Sequence, residues 1–291
     1  ITLFPNLKNV DFLGCNLLSL DNYKQYFELL KVNNDNLLIG ASDDNTGNVK
    51  TGGDWTMETT MENVKNIYFN DTIGSYASLL VSFTVDGFTY VTTGSTAKLT
   101  NGNDISGSVI IPATIRYVGV DYTVTSIGNN AFYGASNLTS ITIPSGVTSI
   151  GSGTFYGASS LTDINIPEGV TIIEHDVFRE SGLTSITIPP GVTSIGNLAF
   201  NNIPSLTSVT FEAGSQLTSI GNYAFQNATG LTSITIPSGV TSIGPGTFFG
   251  ASSLTDITIP AGVTIIEYDV FRESGLTSIT IPSAVTSIGI L

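Results

Sequence analysis

The sequence predicts a solenoid of short coils that each contain a β-strand, preceded by a smaller segment of a different kind. Phenylalanines recur every 22 to 25 residues in the second part of the chain, at Phe132, Phe155, Phe178, Phe200, Phe225, Phe248 and Phe271. Residues 138–196 also match residues 231–289 at 52 of 59 positions. Self-similarity at such a period indicates stacked repeats, here about seven coils of roughly 23 residues.

Residues 1–78 are the first predicted element, a small partial α/β domain. They hold the only Trp and the only Cys of the chain, a composition that the repeats do not share. A buried strand is predicted at residues 10–15, a helix capped by Asp21 follows, and residues 37–42 form a second strand. The order strand, helix, strand favours a parallel α/β layer.

Residues 79–118 are predicted to form a β-rich cap. Asp86-Gly87 separates two alternating runs in SFTVDGFTYVTT, which is a strong hairpin signal. We expect residues 106–128 to form a first irregular coil that shields the open end of the stack. The repeats then run through residues 119–291.

Each coil is predicted from one phrase, LTSITIPSGVTSIG in residues 138–151. Alternation sends Ile141 and Ile143 inward and Ser140 and Thr142 outward, as in a short half-buried strand.

After Pro144 ends this strand, Gly146 and Gly151 are predicted to form turns at positive φ. Val147 and Ile150 begin a second inward run between them, and Phe155 then fills the coil. Because one coil cannot bury its own apolar face, each apolar position stacks on its counterparts in the next coils. We therefore interpret the phenylalanine column as core.

The motif L-x-x-I-x-I-P-x-x-V-x-x-I-G-x-x-A-F over residues 105–291 resembles the BspA-like class of leucine-rich repeats. The resemblance implies an extracellular location on a cell surface, or on a virion surface, and a role in adhesion to a protein or glycan. Many such repeats carry a Cys after the Phe, where this chain has Gly134, Gly157 or Gly250. The resemblance therefore implies no thiol role within the repeats.

Residues 1–78 resemble the C-terminal half of a caspase- or gingipain-like domain, through VDFLGCNLL and IGASDDNTGNVKTGGDW. The resemblance places Cys15 at the position of a peptidase nucleophile, with its His upstream of this chain. The only histidine, His175, lies in the repeats and is replaced by Tyr268 in the duplicated block. Our preferred expectation is a non-enzymatic binding or spacer module, and a cysteine peptidase fragment is the alternative.

The candidate binding residues are the outward strand positions, which form a polar ladder along the stack. We hypothesise that this ladder binds protein or glycan through Ser140, Thr142, Ser185, Thr187, Ser208, Thr210, Ser233 and Thr235. Asp163 and Asp256 interrupt the ladder. Two other interpretations are open: that Ser and Thr serve only the solubility of exposed strands, or that the rows order water as ice-binding arrays do.

Charge and composition exclude several other classes of function. A net charge of −14 with only 9 Lys+Arg excludes a nucleic-acid partner. One Cys and one His cannot build a zinc site, and we expect no metal and no cofactor. The acidic residues near Asp43 and Asp54 lack calcium-loop spacing, and Glu174, Asp176, Arg179 and Glu180 are interpreted as turn charges paired with arginine.

The two ends of the sequence lead to further expectations. No run approaches 18 consecutive apolar residues, so we expect no membrane insertion. ITLFPNLK at the start has no signal-peptide design, and we interpret the chain as an internal fragment. The sequence stops in mid-coil at residues 287–291, and we expect further repeats or a partner subunit to cover that end.

Overall fold

The computed structural model describes residues 9–12, 38–41, 82–117 and 119–290. The chain divides into two units, residues 1–77 with 118–120, and residues 78–117 with 121–291. In the first unit, β1 (Asn9–Phe12) and β2 (Leu38–Ala41) pair in parallel. A parallel pair needs a crossover connection, as the predicted order of elements supplies. The predicted helix, Cys15 and the acidic residues near Asp43 and Asp54 lie outside the described residues.

The second unit starts with an antiparallel meander of three strands, β3 (Ser82–Val85), β4 (Phe88–Thr93) and β5 (Thr96–Asn101). Asp86 and Gly87 connect the first two strands, with φ values of 50° and 82°. Positive φ at both central residues is what a type I′ turn requires, and the hairpin prediction is confirmed.

Three further strands join this meander to the coils: β6 (Gly107–Ile110), β7 (Thr114–Tyr117) and β8 (Val120–Ile127). Strand β8 pairs in parallel with β5 on one side and with the first coil on the other. Strand β6 likewise pairs in parallel with the first coil. This segment is therefore the irregular coil expected at the start of the stack.

Every described coil contains a first strand, a second strand or both, separated by turns. The first strands are β9 (Leu138–Thr142), β11 (Asp163–Ile164), β13 (Ser185–Ile188), β15 (Ser208–Phe211), β17 (Ser233–Thr235) and β19 (Asp256–Thr258). The second strands are β10 (Ser149–Ile150), β12 (Ile172–Ile173), β14 (Ser194–Ile195), β16 (Ser219–Ile220), β18 (Ser242–Ile243), β20 (Ile265–Ile266) and β21 (Ser287–Ile288). The described residues contain no helix, and the predicted solenoid is confirmed.

The core consists of continuous columns, as predicted. The rings from Phe132 to Phe271 stack on one another with centroids 5.1 to 5.9 Å apart. All of these rings are buried except Phe271 in the last described coil, which is half-buried. Ile141, Val147 and Ile150 are buried at the predicted inward positions.

The structure corrects the predicted reason for two glycines. Neither Gly146 nor Gly151 is among the residues with positive φ. Gly151 is needed for close approach instead, because a Cβ there would lie 2.5 Å from the backbone nitrogen of Asn129 in the preceding coil. A Cβ on Gly146 would lie 3.8 Å from the nearest atom, the carbonyl oxygen of Val124, which is ordinary contact. Consistently, Ala284 occupies the equivalent position in the last coil, where IPSAV stands in place of IPSGV.

Candidate functional site

The first strands of the coils form the surface that we call the strand face. Each strand buries its isoleucine or valine and leaves the flanking Ser, Thr or Asp outward, because side chains alternate along a strand. Seven of the eight predicted binding residues are exposed on this face. Ser140 is half-buried and donates a hydrogen bond of 2.7 Å to Ser108 of β6.

Threonines next to the strands hold adjacent coils together. Thr207 donates from its side chain to the carbonyl of Thr184 at 2.9 Å, and its backbone N–H donates to the same oxygen. Directly before the second strands, Thr193 and Thr218 make the same kind of side-chain bond to the preceding coil. These threonines therefore have a structural role. The regular Thr after each Leu or Val is the sequence pattern that could have indicated this role.

The strand face opens between β15 and β17. Strands β13 and β15 pair over four residues and β17 pairs with β19, but no ladder joins β15 to β17. Strands β11 and β13 also lack a ladder, although the N–H of Thr184 still donates to the carbonyl of Thr162. The backbone bond that links Thr207 to Thr184 has no counterpart from Thr232 to Thr207. Within the described coils, the same bond is otherwise missing only between Thr255 and Thr277, where the last coil has no first strand.

An insertion explains this opening. The coil between Phe200 and Phe225 is the longest one, and residues 212–216 stand where the preceding coil has only Pro189-Pro190-Gly191. The longer loop bonds to that preceding coil, since the N–H of Glu212 donates to the carbonyl of Ile188 and that of Gln216 to the carbonyl of Pro190. The loop is therefore hydrogen-bonded to the coil before the gap, whereas the coil after the gap makes no backbone hydrogen bond to it.

The two coils remain joined on their other faces. Strand β16 pairs with β18, and the Phe225 and Phe248 rings stack at 5.6 Å. Only the strand face is wedged open, which leaves a cleft of about 510 Å³.

The cleft is lined mainly by hydroxyl groups, with one charge. Its floor includes Val209 and Ile234, and the half-buried Phe211 and the exposed Glu212 lie at the inserted loop. Seven hydroxyl side chains line it: Thr207, Ser208, Thr210, Ser215, Ser233, Thr235 and Ser238.

Four of the eight predicted binding residues therefore line one cavity: Ser208, Thr210, Ser233 and Thr235. Ser185 and Thr187 lie on the adjacent strand β13, which pairs with β15, and Ser140 and Thr142 lie on β9 nearer the cap. The sequence interpretation missed Phe211 and Glu212. The 25-residue step from Phe200 to Phe225 and the replacement of Ile-Pro by Phe-Glu were the signals available.

The other clusters singled out in the sequence have structural partners. Arg179 lies 3.5 Å from Asp176 and 3.4 Å from Glu180, as the interpretation of paired turn charges predicted. The same guanidinium lies 4.9 Å from the ring centre of Tyr156. His175 places Nδ1 2.8 Å from the carbonyl oxygen of Asn197 and Nε2 2.8 Å from Asp176.

Neither a cluster of metal-ligating side chains nor a membrane-spanning helix occurs among the described residues. No group of three or more His, Cys, Asp or Glu side chains is placed to hold a metal ion there. Over the same residues, no helix has the length and apolar character needed to cross a membrane.

Comparison with known families identifies the repeats. The family profile described as BspA type leucine-rich repeat region matches residues 111–216 and 171–290, which together cover more than half of the chain. The chain belongs to the BspA-type leucine-rich repeat family. A comparison with curated proteins found no match.

Solved structures of leucine-rich repeat proteins are similar to this chain. A leucine rich cell surface protein from Faecalibacterium prausnitzii A2-165 is 31% identical, with 72% of this chain and 50% of that chain covered and a TM-score of 0.50. This chain thus spans about half the length of that protein. A leucine-rich repeat protein from Bacteroides ovatus is 25% identical, with 72% and 78% covered and a TM-score of 0.39. One from Treponema pallidum is 22% identical, with 72% and 83% covered and a TM-score of 0.46.

Proposed function

We propose that this BspA-type repeat chain is a non-enzymatic binding module that recognises a protein or glycan through its strand face. The cleft between β15 and β17 is the observation that carries the proposal. It is a concave opening in the strand face, and four of the residues that the sequence singled out converge there. Binding sites are generally concave and combine some apolar surface with a few placed polar groups.

We propose a cell-surface location for the chain. The support is its 31% identity to the Faecalibacterium protein, which is described as a leucine rich cell surface protein. That protein is bacterial, and the proposal does not extend to a virion surface.

Two parts of the proposal concern the ends of the chain. The parallel pairing of β1 and β2 supports a tail of a caspase- or gingipain-like domain in residues 1–78. At the other end, the last described coil leaves Phe271 and Leu276 half-buried and Ile288 exposed, where earlier coils bury their counterparts. We propose that further repeats or a partner subunit cover this surface.

The test of binding through the strand face is saturable binding of the purified chain to matrix proteins, glycans and whole cells. The variant replaces Ser185, Thr187, Ser208 and Thr210 by Lys, which puts four charges and four long side chains on this face. We expect binding to fall at least about tenfold in this variant, because four contacting hydroxyls are lost and the long side chains cover their neighbours.

A matched control replaces four exposed residues of the second-strand region, Thr148, Ser149, Thr241 and Ser242, by Lys. It adds the same charge on another face and should bind as the wild type does. Equal loss in both variants would indicate a general charge effect. Such a result, or the absence of any binding by the wild type, would contradict recognition through the strand face.

A further inference from the structure

We propose that the cleft between β15 and β17 is a carbohydrate site that takes an uncharged sugar unit of a larger glycan. This inference rests on the proposed function and narrows it to one site and one class of ligand. The eight predicted residues form a long surface, whereas the structure restricts the site to the wedge created by the inserted loop.

The hydrogen-bonding groups of the cleft suit a ligand that carries many hydroxyls. Each Ser or Thr hydroxyl can donate one hydrogen bond and accept two. Thr210, Ser233 and Thr235 are exposed in the cleft, and none of their hydroxyls makes a hydrogen bond with another described residue. A sugar presents the same mixed donors and acceptors on every ring, so these groups can pair with it in either direction.

The charge of the cleft excludes anionic ligands. Glu212 is the only ionisable side chain in the lining, and no Lys or Arg is present there to pair with a carboxylate, phosphate or sulfate. The net charge of −14 adds a repulsive field. Toward an uncharged sugar the same carboxylate is favourable, because a carboxylate accepts strong hydrogen bonds from hydroxyl groups.

Apolar surface in the cleft fits the C–H faces of a sugar ring. The Phe211 side chain is half-buried at the loop, although the residues aligned with it in the neighbouring coils, Ile188 and Ile236, are buried. Phe211 thus offers part of an aromatic ring to the cleft. Pro237 lies on the opposite wall.

A peptide is a poorer match for this cleft. Addition of a peptide strand requires an accessible strand edge. The coils that carry β15 and β17 stay joined through β16 and β18 and through stacked phenylalanine rings, so no extra strand fits between them. The lining also contains no Trp, Tyr or Arg, the residues that dominate protein–protein hot spots.

The cleft is preformed, which lowers the cost of binding. Two backbone hydrogen bonds hold the inserted loop to the preceding coil, at Glu212 and Gln216. A third, from the N–H of Ser215 to the carbonyl of Glu212, closes the loop on itself. Preorganisation of this kind reduces the ordering entropy that a ligand must offset.

The test uses an array of immobilised oligosaccharides, both neutral and acidic, probed with the whole chain. We expect saturable binding to neutral members and none to sialylated, sulfated or uronic-acid members. Glu212→Gln keeps the shape and removes the charge, and we expect about tenfold weaker binding because one charge-assisted hydrogen bond is lost.

A double variant, Thr210→Leu with Ser233→Leu, removes two hydroxyls and fills the cleft. The matched control is Thr241→Leu with Ser242→Leu, the same kinds of substitution at two exposed residues of the second-strand region, outside the strand face. We expect binding to be lost in the first pair and retained in the second. Equal binding by both pairs, binding of acidic oligosaccharides only, or no binding of any oligosaccharide would overturn the carbohydrate site.

Failure of this inference is separable from failure of the proposed function. If the wild type binds a matrix protein or cells and the strand-face lysine variant does not, while no oligosaccharide binds, the face is a binding surface for protein and the carbohydrate site is wrong. If nothing binds in either experiment, both proposals fail.

Discussion

Tyr90 in β4 is a buried phenol without a hydrogen-bond partner among the described residues. Burial, and to a lesser extent the nearby charge of Asp86, raise the pKa of Tyr90 from 10.0 to about 12. The folded state therefore keeps this proton at pH values where the unfolded chain loses it. The stability that this group contributes is complete below pH 10 and is lost as the pH rises toward 12.

We expect Tyr90→Phe to remove an alkaline loss of about 3 kcal/mol in the free energy of unfolding between pH 10 and 12. At neutral pH the variant should be more stable than the wild type by about 1 kcal/mol, because no unpaired buried hydroxyl remains. Urea unfolding at several pH values measures both effects. Tyr133→Phe, which removes an exposed hydroxyl, is the control. A Tyr90→Phe variant that is less stable at pH 7 would show that the hydroxyl has a partner.

Single residues also show which structural features the sequence predicts and which it does not. The inward and outward positions of a coil followed from alternation alone, and Ile141, Val147 and Ile150 are buried as expected. The reason for Gly151 did not follow, because glycine signals either positive φ or close packing and the sequence does not distinguish them. The distance from Gly151 to the neighbouring coil decides the matter, and only stacking reveals that distance.

At the scale of one element, the inserted loop changes the pairing of strands that it does not belong to. Residues 212–216 bond back to the preceding coil, and the N–H of Thr232 in the next coil makes no bond to Thr207. The period of the phenylalanines reveals an insertion of two residues. It does not reveal which face the insertion opens, since that depends on the hydrogen bonds that the loop makes.

We expect the backbone N–H of Thr232 to exchange with solvent much faster than that of Thr255. The N–H of Thr255 donates to the carbonyl of Thr232 at 3.0 Å, whereas that of Thr232 has no such bond to Thr207. Hydrogen exchange resolved to single residues measures the difference, which should exceed about tenfold.

Replacement of residues 212–216 by Pro-Pro-Gly, the loop of the preceding coil, provides the complementary variant. The shorter loop should let β15 pair with β17, protect the N–H of Thr232 and abolish glycan binding. Equal protection of Thr232 and Thr255 in the wild type would contradict the wedge.

At the scale of the molecule, stability comes from contacts between neighbouring coils. The apolar columns run through all described coils, and the aromatic stack extends from Phe132 to Phe271. Such a stack was predictable because the repeat period determines which residues lie above one another. Its end was less predictable: the last coil has its second strand but no first strand among the described residues.

We expect Phe178→Ala to lower the free energy of unfolding by about 3–5 kcal/mol, because the change leaves a cavity between two stacked rings. Phe271→Ala is the matched substitution in the duplicated block, and it should cost less than half as much, since Phe271 is only half-buried and has a described ring on one side alone. Urea unfolding of both variants measures the difference. Equal costs would contradict the nearest-neighbour account of stability.

The near-identity of residues 138–196 and 231–289 also has a genetic consequence. Recombination between the two copies deletes or duplicates a multiple of whole coils, so the products remain in register and can still stack. The 25-residue coil with the inserted loop lies between the copies. A deletion by this route always removes that coil and with it the cleft, and a duplication yields two clefts in one chain. Alleles of different length would therefore differ in the number of clefts as well as in the length of the solenoid.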